Sequence, residues 1–245
     1  MNIIKGQHWA VIPSRANSQR FPGKALACLC GSVLVERAIE TAFMAQGIKT
    51  IIINTNDESV KWYVVGLQKI RHGRMVIHER QEEVARPNTR IDDTLIDMVK
   101  NMDEAPEFLH LIQLTSPFIH YSHVQEGNAV LNTNDIDSVQ LVAPVSNTQH
   151  AYSQRVINDG EIEFRYKKDR ESCFNSQSKP VFYAFGGYVG FRTQSLLKTG
   201  CIWGETSLPI IGGPECLIDI DTPEDLKFAE AYLRIKQEEV RYAAA

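Results

Sequence analysis

Unbroken apolar runs of strand length recur along this chain, and each gives way to polar loop residues and then to helical spacing. Trp9-Ala-Val-Ile-Pro13, Thr50-Ile-Ile-Ile-Asn-Thr-Asn56 and Phe108-Leu-His-Leu-Ile-Gln-Leu114 are the clearest. A strand with one wet face alternates apolar and polar residues, whereas a strand that is apolar throughout must be covered on both faces. Weaker strands are predicted at 74–78, 138–145, 181–191 and Cys216–Asp221. Val33–Gly47 places apolar residues three and four apart and closes on a glycine, which predicts a helix. Asp92–Met102 predicts another. Ser122, with Gln125 three residues on in capping-box position, opens a third. Thr222-Pro-Glu-Asp225 starts a last one, with Thr222 as N-cap and Pro223 in the first turn. Such alternation defines an α/β chain with a doubly wound, mostly parallel sheet, and 245 residues suit one domain, 1–245. Ligands of such sheets bind beyond the carboxyl ends of the strands, so the informative loops follow Ile12, Asn54, Ile112 and Val145. From 149 to 180 the apolar rhythm breaks into a charged stretch, read as an inserted hairpin arm or lid.

Lys and Arg number 26 against 30 Asp and Glu, a formal charge of −4. That balance argues against nucleic acid or an anionic membrane as partner, so any anion must be met by a local cluster of cations. No apolar run is long enough for a membrane span, and Met1–Gln7 has no apolar leader core. Five cysteines with no CxxC fit reduced thiols, and the expected location is cytoplasmic. His120-x-x-His123 lacks a nearby third ligand and is read as a loop and helix start.

The loop after the first strand supplies the local cluster. Pro13-Ser-Arg-Ala-Asn-Ser-Gln-Arg-Phe-Pro-Gly-Lys24 carries Arg15, Arg20 and Lys24 within ten positions, separated by small and polar residues such as Ser18. Close backbone approach, hydroxyl donors and fixed cations together suit a polyphosphate. The loop is neither GxxxxGK[ST] nor GxGxxG.

Ile12-Pro-Ser-Arg-Ala-Asn-Ser-Gln-Arg-Phe-Pro-Gly-Lys24 resembles the signature loop of the sugar-activating cytidylyltransferases, which comprise the CMP-sialic acid (acylneuraminate) synthetases and the related CMP-Kdo synthetases. Arg80-Gln-Glu-Glu-Val-Ala85, Gln113-Leu-Thr-Ser-Pro117 and Ile218-Asp-Ile-Asp-Thr-Pro-Glu-Asp-Leu226 are similar to three further family segments, in family order. The resemblance implies a Rossmann-like nucleotidyltransferase. It would transfer CMP from CTP to the anomeric hydroxyl of an acidic 3-deoxy-2-keto sugar of the sialic acid type, releasing pyrophosphate. Arg15, Ser18, Arg20 and Lys24 would hold the triphosphate, Arg80 and Thr89 the base, and Gln113 the sugar. Tyr183, Phe185 and Tyr188 would form an apolar wall by the sugar. The arm would reach a second subunit, making a homodimer.

Asp219 and Asp221 alternate in the predicted last strand, which would aim both carboxylates to one side. Paired carboxylates beside phosphates suit Mg²⁺, a hard cation that keeps several waters. Asp57, Asp92 and Asp93 are lesser candidates, and no general base stands out. Three departures bear on the acceptor and the loop: Ala16-Asn17 replaces the family's Gly-Gly, Ala25 its Asn, and Phe185-Gly-Gly187 its Asn-Gly-Ala. Two other readings fit the same loop: a Kdo-type or other nucleotidyltransferase with a different acceptor or nucleotide, and a non-catalytic nucleotide-binding protein.

Overall fold

A computed structural model describes residues 2–16, 18–70, 74–173, 175 and 178–243. Asn17, one of the signature-loop departures, lies outside the described residues. Seven strands form one sheet: β1 (Asn2–Ser14), β4 (Ile48–Thr55), β5 (Met75–Glu79), β6 (Glu104–Ile112), β7 (Ser138–Pro144), β10 (Tyr183–Arg192) and β11 (Ser207–Ile211). Their order is β11-β7-β10-β6-β1-β4-β5. β1 pairs in parallel with β4 and β6, β4 with β5, and β7 with β11, while β10 runs antiparallel to both β6 and β7. Two short strands, β2 (Cys28–Leu29) and β3 (Ser32–Val33), make a separate hairpin after the first loop.

Consecutive residues of β1 explain the two-layered cover. Ala10 and Ile12 face one core and Val11 the other, all fully buried. Ile51 and Ile53 divide from Ile52 in β4 in the same way. The first core is closed by α1 (Leu34–Met44), α2 (Glu58–Ile70), α4 (Tyr121–Thr133) and α7 (Pro223–Ala243), through Val35, Val64, Leu131 and Ala229. The second is closed by α3 (Ile91–Lys100) and α6 (Thr193–Thr199), through Leu95, Met98 and Leu196. The doubly wound, mostly parallel sheet expected from the apolar runs is thus present. The charged stretch after β7 contains a hairpin, β8 (Arg155–Asn158) and β9 (Glu161–Phe164), turning at Asp159-Gly160, and a short helix α5 (Lys167–Ser172).

Two local expectations need correction. Cys216–Asp221 is not a strand: Pro214–Leu217 forms a 3₁₀ turn and 218–222 is irregular. The sheet edge beside β7 is taken instead by β11, whose Pro209 an edge position tolerates. The cap of α4 is His120 rather than Ser122. The His120 imidazole accepts from the Ser122 amide (3.4 Å), and His123 Nδ1 accepts from the His120 amide (3.1 Å). That reciprocal cap occupies the histidine pair. Thr222 caps α7 as expected. Its hydroxyl accepts from the Asp225 amide (3.3 Å), and Asp225 Oδ2 accepts from the Thr222 amide (2.8 Å).

A buried polar chain crosses the sheet. Tyr188 OH lies 2.9 Å from His110 Nδ1, His110 Nε2 lies 2.9 Å from His8 Nδ1, and His8 Nε2 lies 3.1 Å from Asn132 Oδ1. One tautomer set satisfies every contact: the tyrosine donates to His110, His110 to His8, and His8 to Asn132. Gly127 on α4 makes room, since a Cβ there would fall on the Tyr188 hydroxyl. Burial drives the His110 pKa well below its usual value, helped by repulsion from His8. Burial also lowers His8, against the opposing effects of its Asn132 bond and the Glu107 charge. Histidines held neutral in the fold bind protons more readily when unfolded, so this stabilisation is complete above about pH 6.5 and is lost as pH falls below it. Denaturant titrations between pH 7.5 and 5 should show stability falling with pH, and His110→Gln should flatten that slope; an unchanged slope in the variant would contradict the assignment.

Candidate active site

The carboxyl ends of β1, β4 and β6 converge on a cavity of about 540 Å³. The first loop leaves β1 there, and Asn56, just past β4, pins it: the Ala16 amide donates to Asn56 Oδ1 at 2.9 Å, and Asn56 Nδ2 donates to Glu82 at 3.3 Å. Arg15, Ser18, Arg20 and Lys24 all line the cavity. Arg80 and Thr89 line it as well, with Gln113 just past the end of β6 and Asp221 before α7. Residues up to 206 positions apart in sequence thus meet in one place, and most of the predicted site residues are among them.

The cations have different environments. Lys24 Nζ lies 2.8 Å from Asp221 Oδ1, and Arg20 Nη2 lies 2.6 Å from Asp221 Oδ2. Among the described residues, neither Arg15 nor Arg80 has a carboxylate in ion-pair contact. Arg80 is nearly buried, at 6% exposure. Its Nε and Nη2 donate to the Val84 carbonyl at 3.0 and 2.7 Å, and Nη2 donates to Thr94 Oγ1 at 2.8 Å. Burial, with repulsion from Arg15, pushes its pKa down to about 10, still charged at neutral pH. An anion bound beside Arg80 would offset that repulsion. Arg86 adds a further cation to the lining, and among the described residues Asp57 and Asp221 are the acids there.

The two carboxylates expected to share one side line different cavities. Asp221 faces the cavity, but Asp219 lines a neighbouring one of about 450 Å³ with Phe228 and Tyr232. Without a strand pairing the segment, two-residue alternation does not bring both side chains to one surface. The two remain close enough to interact. Desolvation raises the Asp219 carboxyl pKa, a Thr115 hydrogen bond opposes it, and the Asp221 charge raises it further. Thr115 also accepts the Ile220 amide at 2.8 Å, tying the loop after β6 to this segment. Gly187 holds that loop from the other side. Its carbonyl accepts the Gln113 amide at 3.0 Å, its φ is +83°, and a Cβ there would sit inside the Ser116 side chain.

The aromatic wall is not part of either cavity. Tyr188 is fully buried on His110, and Phe185 packs edge-on against Trp203 with ring centroids 5.2 Å apart. Tyr183 is half-exposed at the start of β10, opposite Pro144. Alternation along β10 and the glycines beside it send these rings into the core or to the surface. The lesser carboxylates have structural work: Asp57 Oδ1 accepts the Ser59 amide at 3.0 Å at the start of α2, and Asp92 accepts the Ile202 amide at 2.8 Å. Arg86, Asn88 and Asn56 were not singled out from sequence. The first two follow Arg80 on the same short loop, which was the available signal.

An α/β fold with a cation-lined cavity at the parallel strand ends suits an anionic ligand. The chain belongs to the cytidylyltransferase family, whose profile matches residues 9–244, and it is an enzyme of the nucleotidyltransferase type. It is 25% identical to the CMP-N,N'-diacetyllegionaminic acid synthase of Legionella pneumophila, over 94% of this chain and 97% of that one. It is 35% identical to the 8-amino-3,8-dideoxy-manno-octulosonate cytidylyltransferase of Shewanella halifaxensis, over 92% of this chain and 98% of that one. Its fold is similar to that of a CMP:2-keto-3-deoxy-manno-octonic acid synthetase solved with CTP, at a TM-score of 0.65, with 17% identity, 94% of this chain covered and 99% of the other. No helix among the described residues is long and apolar enough to cross a membrane.

Thr94 is fully buried beneath Arg80. Thr94→Val should lower unfolding stability by about 1–3 kcal/mol, because a buried guanidinium N–H loses its acceptor. Thr94→Ser should restore most of it in the same denaturant titration, and equal stability of all three proteins would contradict the contact's importance.

Proposed function

We propose that the enzyme transfers CMP from CTP to the anomeric hydroxyl of an acidic 3-deoxy-2-keto sugar, a nonulosonate of the sialic acid type, releasing pyrophosphate. The observation that carries the reading is the cavity itself: Arg15, Arg20, Lys24, Arg80 and Arg86 surround a space whose lining holds only two acids. The names of the relatives, all activated acidic keto-sugars in the two cases above, support cytidine and the acceptor class.

In the reaction the acceptor oxygen bonds to the α-phosphorus as the bond to the bridging β-phosphate oxygen breaks, and the hydroxyl proton is released. Charge grows on the departing pyrophosphate. Arg15 and Lys24 meet that charge from fixed positions, which is where electrostatic catalysis of phosphoryl transfer gains most. Arg80 and Thr89 would meet the nucleoside end. Gln113, just past the end of β6, would hydrogen-bond the sugar.

Mg²⁺ is the cofactor this reading calls for. Asp221 offers a hard oxygen donor in the cavity, and Asp219, which feels the Asp221 charge from the neighbouring cavity, a second one nearby. A pair of carboxylates fits a cation that takes its remaining ligands from substrate phosphates and water. When bound, the ion would neutralise phosphate charge. The protein is proposed to act in the cytoplasm as a homodimer, with the β8–β9 hairpin reaching the second subunit; the cross-strand pair Ile157 and Ile162 stands exposed on it, at 74% and 68%.

Pyrophosphate release with each nucleoside triphosphate, Mg²⁺ and a panel of keto-sugar acids tests the reading. Turnover should require CTP and an acidic keto-sugar together. Lys24→Ala should cost on the order of 10²–10³ in rate. Turnover with UTP or GTP but not CTP would overturn the base assignment, and release without any sugar would overturn the acceptor.

A further inference from the structure

Asp221 is fixed at its backbone and engaged at both carboxylate oxygens. Its amide donates to Asp225 Oδ2 at 3.0 Å, and the Ile220 amide before it donates to the Thr115 carbonyl at 2.8 Å. Asp225 also receives the Thr222 amide and hydroxyl, each at 2.8 Å, so the segment cannot drift. From this anchored position one carboxylate oxygen reaches Lys24 and the other Arg20. Lys24 and Arg20 come from the signature loop, 197 and 201 residues away. Two cations of the cavity are therefore already satisfied, by an anion that belongs to the chain.

We propose that Asp221 occupies the phosphate cradle of the nucleotide-free enzyme and must let go of Lys24 and Arg20 when the triphosphate enters. The inference rests on reading the cavity as a triphosphate site. A carboxylate and a phosphate have the same sign and compete for the same N–H donors. The Lys24 side chain is only 18% exposed, so its ammonium needs a near partner whether or not a ligand is present. Arg20 is 70% exposed, so its contact with Asp221 is the weaker hold and the easier to break. From that position Asp221 opposes metal-free nucleotide. A divalent cation between carboxylate and phosphate turns that opposition into attraction. The residue thus makes nucleotide binding conditional on the metal.

The test is isothermal titration of CTP and of inorganic triphosphate, each in EDTA and in Mg²⁺, into the wild-type protein and Asp221→Asn. In EDTA the variant should bind both ligands about tenfold more tightly than wild type, since a competing charge has been removed. Mg²⁺ should tighten binding to wild type and leave the variant nearly unchanged. A folded variant, checked by circular dichroism, that binds triphosphate in EDTA no better than wild type would overturn the proposal. A residue that only ligated metal would give that result, because its loss would leave metal-free affinity alone. If the variant does not fold, crystal structures of the wild type with and without triphosphate decide: Asp221 should leave Lys24 when phosphate arrives, and an ion pair intact beside bound triphosphate would overturn the exchange. CTP binding no tighter than inorganic triphosphate would count against the cytidine reading while leaving the exchange to stand on the triphosphate titration. A wild-type protein that binds neither ligand in either condition would overturn both.

Discussion

Strand β1 is hydrogen-bonded on both sides to parallel neighbours, and that pairing determines where each functional loop ends. Ile12 lies beside Ile53 of β4 and Val11 beside Leu111 of β6, so the three strands finish at one edge. The first loop, Asn56 and Gln113 are brought together by register alone. β10 then enters antiparallel beside β6, and its Gly187 carbonyl holds the loop that follows β6. The irregular segment before α7 is attached to that same loop through Thr115.

Charge is distributed to match. The chain as a whole carries −4, yet one cavity gathers five cations against two acids. Concentrated like charge is costly to fold, and two devices limit the cost. Asp221 satisfies Lys24 and Arg20 directly. Arg80 instead spends its N–H groups on the Val84 carbonyl and the Thr94 hydroxyl, contacts that orient a guanidinium without neutralising it. The charge of Arg80 and Arg15 therefore stays available to an anionic ligand. The division suits a site that must hold its shape when empty and still bind a polyanion.

What could be read from the sequence follows the range of the interaction that decides it. The parallel core strands were legible because β-branched runs such as Ile51-Ile-Ile53 have to be covered on both faces, a local fact. The cation loop was legible because Arg15, Arg20 and Lys24 lie close together in sequence. The family's blocks gave Arg80, Gln113 and Asp221, all of which line the cavity. The direction of β10 was not legible, since an apolar run has no orientation. β11 has little strand signal because Pro209 interrupts its short run, and Cys216–Asp221 imitates a strand but finds no partner. For that reason Asp219 lines the neighbouring cavity. Tyr188 was assigned to a sugar wall because nothing near it in sequence announces His110, the partner that holds it in the core.

The most direct measurement of the central claim is the position of the nucleotide. A crystal structure of the protein with CTP should show the triphosphate in the cavity at the ends of β1 and β6, with phosphate oxygens in hydrogen-bond contact with Arg15 and Lys24 and the cytosine toward Arg80 and Thr89. A nucleotide bound instead in the neighbouring cavity beside Asp219, Phe228 and Tyr232, with the first loop untouched, would contradict it.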